Sequence, residues 1–195
     1  MNPEDVLEFW LGAPGSPPLA LAPQWFKKDE QLDETIRTRF GSTLEAAAAG
    51  QLATWKESPR GRLALIILFD QFSRNIYRNT PRAFAQDALA LALTLEALSN
   101  GHYEQLAPVE RGFVLMPLMH AENTEHQDRC VLEFYRLVAE APPDLTAYFK
   151  NNADYAERHA AIVQRFGRFP HRNAILGRES TPEELEFLKQ PGSSF

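Results

Sequence analysis

Cysteine is nearly missing from this chain. Cys130 is the single one, so no internal disulfide framework can form and no multi-cysteine zinc site exists. Long apolar runs are missing as well. No stretch approaches the length that spans a bilayer, and the opening "MNPEDVLEFW" has no positive region followed by an apolar one. Those absences lead to the expectation of a cytoplasmic protein with no membrane partner. Positive charge is in deficit, with a formal net of −6 at pH 7, which argues against general attraction to nucleic acid. Neither GxGxxG nor GxxxxGK occurs, and no serine stands in a GxSxG elbow. Two-residue apolar alternation bounded by hairpin turns is also lacking, so no sheet is expected.

What the chain does have is helical patterning nearly throughout. Its 195 residues fit a single domain over 1–195, large enough to bury a core without staples. Asn2-Pro3-Glu4-Asp5 offers an N-cap, a proline at the first helical position and acids over the positive helix end. Ser58-Pro59 and Thr80-Pro81 repeat that signal, giving helices over about 59–76 and 81–99. Further helices are expected over 29–49, 107–120, 122–140 and 144–166. Thr181-Pro182-Glu183-Glu184 is a capping box opening a last short one. The fold class is therefore all-α, with seven to nine helices in antiparallel hairpins. No internal sequence repeat supports a solenoid.

Three segments bring polar groups out of apolar surroundings. In "RLALIILFDQFSRNIYRN" the run Leu63–Phe69 is apolar on every face, so its helix is buried all round. Asp70 follows, with Arg74 and Arg78 at successive four-residue steps on one face, and Gln71, Asn75 and Asn79 nearby. A desolvated carboxylate must be paired. The pattern is read either as a register-fixing ion pair or as Asp70 orienting the two arginines toward a cavity. In "FVLMPLMHAENTEHQD", Pro117 interrupts a helical run just before His120. His120, Glu122, Glu125 and His126 do not match the HExxH spacing, so neither a metal nor a cofactor is expected.

The third segment is "QRFGRFPHRNAILGREST". His159 and Ile162 lie one turn apart, which puts the histidine at the buried face of its helix. Gly167 should end that helix and Pro170 should hold Phe169 extended. Arg165, Arg168, His171 and Arg172 then radiate from a turn pinned by Phe166 and Phe169, which suits carboxylate or phosphate recognition. The bland alternative is a set of surface arginines paired with acids elsewhere.

"WFKKDEQLD", "FDQFSRNIYRNTPRAFAQD", "MPLMHAEN", "RFGRFPHRNAILGREST" and "FLKQPGSSF" together resemble an uncharacterised bacterial family, domain of unknown function 924, over almost the whole chain. The resemblance implies a helical fold similar to tetratricopeptide-repeat proteins and supplies no activity. Its pattern matches Asp70, Gln71, Arg74, Asn75, His120 and Arg165 through Asn173. Ala121 departs from it, standing where serine is common in relatives.

Sequence alone thus leads to a cationic pocket formed by Asp70, Arg74, Asn75, Arg78, His120, His159, Arg165, Arg168, His171 and Arg172 and taking a small anionic or phosphorylated ligand. The competing expectation is a peptide-binding helical module whose arginines form a structural network. Whether a reaction is catalysed, and the oligomeric state, stay open at this stage. A further expectation is that Phe195 docks in an apolar notch of its own or a neighbouring chain.

Overall fold

The computed structural model describes residues 1–194, so the expectation for Phe195 lies outside the described residues. Among them there is no strand. The helices are α1 (Pro3–Leu11), α2 (Ala22–Trp25), α3 (Glu30–Ala48), α4 (Pro59–Ile66), α5 (Ser73–Ile76), α6 (Asp87–Ser99), α7 (Pro108–His120), α8 (Thr124–Glu140), α9 (Pro143–Phe166), α10 (Asn173–Leu176) and α11 (Pro182–Phe187). A π-helical turn, Ile67–Phe72, joins α4 to α5, so residues 59–76 wind as one helix. Counted that way, eight helices are long, in keeping with the all-α expectation of seven to nine; the single-turn α2 and α10 are additions. No helix among the described residues is long and apolar enough to cross a membrane.

Local chemistry accounts for several helix ends. The Asn2 side chain accepts from the Asp5 N–H while Asp5 answers to the Asn2 N–H, and Ser58 accepts from the Gly61 N–H. Gly167 sits at φ 70°, the left-handed stop that closes α9. One expected boundary is corrected. Pro81–Phe84 winds as a 3-10 turn, and α6 starts only at Asp87. Arg74 grips both oxygens of the Asp87 carboxylate at that N-terminus, which sets where the regular helix begins.

The chain forms two compact units, residues 1–78 with 82–117, and 79–81 with 118 onward. The first is built on an aromatic core. Phe9 and Phe40 rings lie 4.9 Å apart, Trp10 meets the edge of Phe72 at 5.3 Å, and Trp25 meets Phe113 at 4.9 Å. Each of these side chains that is fully buried, such as Phe40 and Phe72, contributes about 1.5–3 kcal/mol by leaving water. Pro117 has no N–H to give the preceding turn of α7. Near that gap, the buried Thr94 hydroxyl donates to the Val114 carbonyl at 2.8 Å.

In the second unit α8 and α9 pack against each other, with Cys130, Phe134 and Leu137 buried on one helix and Phe149, Ala153, Ala156 and Ala160 on the other. Burial pushes the Cys130 thiol well above its ordinary pKa, so it behaves as a small apolar group. Gln127, fully buried on α8, donates its amide to the carbonyls of Met119 at 2.7 Å and Ala121 at 2.8 Å. It thereby satisfies orphan carbonyls at the end of α7 and fixes the approach to His120. Replacing Gln127 by leucine should cost about 1–3 kcal/mol, because buried acceptors lose their donor. Denaturant midpoints of the variant and the natural chain check this.

Candidate functional site

In the first unit, the π-turn delivers Asp70 into the core with 0% exposure. Its Oδ1 lies 3.2 Å from Arg74 Nη1, and its Oδ2 accepts from Gln71 at 2.6 Å. Arg74 also holds Asp87 through two bonds of 3.0 and 3.1 Å and reaches the Asp70 carbonyl. Burial opposes its charge, yet Asp70 and Asp87 outweigh burial and raise the Arg74 pKa above its ordinary value.

Arg78 does not join this group. It makes a forked pair with Asp33 at 2.6 and 2.7 Å, and Asn75 donates to the same carboxylate at 2.8 Å. Burial pulls the Asp33 pKa up, but Arg78 and Asn75 prevail and hold it below the ordinary range. The idea that Asp70 orients both arginines is therefore corrected. Asp70 engages Arg74, while Arg78 is claimed by an acid on α3.

The second unit carries two kinds of basic group. Arg165 donates to Glu183 at 2.9 Å. Arg168 makes a two-pronged pair with Glu184 at 2.6 and 2.8 Å. Glu184, only 1% exposed, also accepts from the Thr181 N–H at 2.7 Å and from Asn173 at 3.3 Å. Hydrogen bonds from Arg168 first, then the Thr181 N–H, bring its pKa down to about 2. Arg178 makes a second forked pair, with Glu122 at 2.6 and 2.8 Å. Glu122 also accepts from the Phe169 N–H at 2.8 Å. Burial would lift its pKa, but Arg178 overcomes that and keeps the carboxylate ionised. These clamps hold the turn 167–172 against its neighbours.

The remaining basic groups gather around Phe169, which is fully buried. The rings of His159 and His171 lie 5.5 and 5.6 Å from it, and the Arg172 guanidinium stands 4.5 Å over its face. His120, at the end of α7, lies 6.3 Å from His159. His159 and Arg172 are 5% and 6% exposed. Burial first, then the charges of His120 and Arg172, lowers the His159 pKa to about 3. Burial and Arg172 lower that of His171 to about 4, against opposing pulls from Glu122 and the Ser193 backbone. Both rings are thus neutral at pH 7, and each feels the positive charge of Arg172 beside it. Among the described residues, no three His, Cys, Asp or Glu side chains gather as metal ligands.

The ten residues singled out in the sequence therefore fall into two groups. Asp70, Arg74, Asn75 and Arg78 belong to the first unit; His120, His159, Arg165, Arg168, His171 and Arg172 belong to the second. Two contributors are not legible from sequence. Glu122 shows there only as a candidate metal ligand, and Glu184 only as half of a capping box. The Thr-x-x-Glu spacing was the available signal for Glu184, but nothing local says that the same carboxylate also receives Arg168 from sixteen residues away.

The model of a family described as "Bacterial protein of unknown function (DUF924)" matches residues 6–192. A solved structure, a protein of unknown function named ATU0120 from Agrobacterium tumefaciens, is 36% identical and superposes with a TM-score of 0.80, covering 96% of each chain. No curated protein matches.

Proposed function

We propose, from the premise that this chain belongs to the bacterial family of unknown function DUF924, that its second unit binds a small anionic ligand at the cluster of His120, His159, His171 and Arg172. One observation carries this reading. His159, His171 and Arg172 converge on a single aromatic ring, Phe169, and His120 stands beside His159. The convergence is electrostatically tense, because Arg172 works against protonation of both His159 and His171. A carboxylate or phosphate oxygen placed there would relieve that tension and accept a forked pair from the guanidinium. The neighbouring Glu122 does not cancel the effect, since Arg178 already neutralises it. The setting we take for this binding is the cytoplasm.

Inorganic phosphate is the direct probe. Calorimetric titration should give saturable binding, and the His159 imidazole should titrate at higher pH with phosphate bound than without. Arg172→Lys keeps the charge but loses the fork, and it should weaken binding by about tenfold, or about 1.4 kcal/mol. Absence of binding, or equal affinity in the variant, would count against the reading.

A competing reading, a tetratricopeptide-like peptide-binding module, draws on the exposed Leu132, Tyr135 and Tyr155 of α8 and α9. It expects phosphate titrations to be silent and substitutions at those three positions to abolish peptide capture.

A further inference from the structure

Helix α8 turns a mixed face to solvent. Leu132 and Tyr135 are 51% and 49% exposed on it, and Asp128, Arg129 and Arg136 stand exposed around them. At about 100° per residue, Leu132 lies at the middle of this face, with Asp128 and Tyr135 on one flank and Arg129 and Arg136 on the other. The first flank is the one beside α9. There the Gln164 amide donates to Asp128 at 3.0 Å, and the Tyr135 hydroxyl donates to Glu157 at 2.6 Å. Both donors are neutral, so they leave the charges of Asp128 and Glu157 uncancelled. On the second flank Arg136 gives one bond to Glu133 at 2.9 Å and, with its side chain 59% exposed, keeps further N–H groups turned outward. The face is thus acidic along one side, basic along the other and apolar between.

A second copy of the same chain matches such a face. Two α8 helices laid antiparallel bring like flank onto like flank, and set Arg129 against Arg136 of the second copy. Like charges placed so oppose association. Laid parallel about a two-fold axis, the flanks exchange. Asp128 then meets Arg129 of the second copy, Glu157 meets its Arg136, and Leu132 meets Leu132, every contact being made twice. We infer that this chain pairs with itself through α8, the two helices parallel and Leu132 at the centre. The contact is independent of anion binding, because none of these residues belongs to the cluster around Phe169. It covers the Leu132 and Tyr135 that peptide capture needs open. One helix face is small beside the roughly 1,200–2,000 Å² of stable interfaces, so a Kd on the order of 100 µM is expected.

Sedimentation velocity of the natural chain, from about 10 µM to about 1 mM, should show the average mass rising from one copy toward two. Asp128→Arg and Arg129→Asp should each weaken pairing at least about tenfold, because each sets like charges face to face twice. An equimolar mixture of the two variants should pair again, since an acidic pair of positions then faces a basic one. That recovery also shows both variants to be folded. A natural chain that stays monomeric throughout overturns the inference. So does pairing that neither variant weakens, or a mixture that fails to recover it.

Discussion

Acidification from about pH 6.5 to pH 4.5 should weaken the fold well before its carboxylates are titrated. The folded state keeps His159 neutral down to about 3, and His171 down to about 4, mainly because His159 is buried and His171 half-buried. In the unfolded chain each imidazole takes up a proton near its ordinary value of about 6.5. Below that pH the unfolded state binds more protons than the folded one, so stability falls as pH falls, and it is regained as pH rises through the same interval. Two pH units at one group correspond to about 2–3 kcal/mol.

The carboxylates act later. Glu184 is held down to about 2 by Arg168, and Glu122 is held low by Arg178, so their contributions are present above about 4.5 and are lost only below it. The upper interval therefore isolates the histidines. Urea midpoints at several pH values test this, with His159→Phe as the comparison. The variant should show a shallower slope across that interval, and equal slopes would show that His159 is not the source.

The second large effect is expected at Glu184. Its two oxygens serve Arg168, the Thr181 N–H and Asn173 together, at 1% exposure. Glu184→Gln keeps the shape but leaves Arg168 without its counter-charge and replaces one acceptor oxygen by a donor. Leaving donors and acceptors of this network unmatched at the buried Glu184 position costs about 1–3 kcal/mol, which for a chain of this length lowers the melting temperature by roughly 2–12 °C. The comparable change at the exposed Glu183 should cost under about 1 kcal/mol, although it too pairs with an arginine. Thermal melts of the two variants side by side decide the matter. Similar shifts would mean that Glu184 matters no more than a surface cap. Adding Arg168→Met to Glu184→Gln should restore part of the loss, because it removes the stranded charge.

What the sequence made readable was whatever depends on neighbours three or four residues apart. The caps at Asn2, Ser58 and Thr181, the glycine stop at Gly167 and the Asp70–Arg74 pair are all of that kind. Partner choice over long separations was not readable. Arg78 shares a helical face with Asp70, yet it pairs with Asp33, forty-five residues earlier. Arg178 finds Glu122 across fifty-six residues. An arginine in a string looks the same whether a distant acid will meet it or not, so the string could not be sorted into clamps and candidate ligand groups. The burial of Arg172 escaped for a related reason. A guanidinium looks like a surface group until an aromatic face such as that of Phe169 turns out to lie beneath it.

The widened turn at Ile67–Phe72 has a consequence for the lengths that chains of this family can take. A π-turn accommodates a residue that regular winding has no room for. Deleting a single residue there would let the helix close into ordinary pitch without breaking, while rotating everything after it by about 100°. Arg74 and Arg78 would then face away from Asp87 and Asp33. A homologue one residue shorter at this place would keep its helix and yet need a different set of acids.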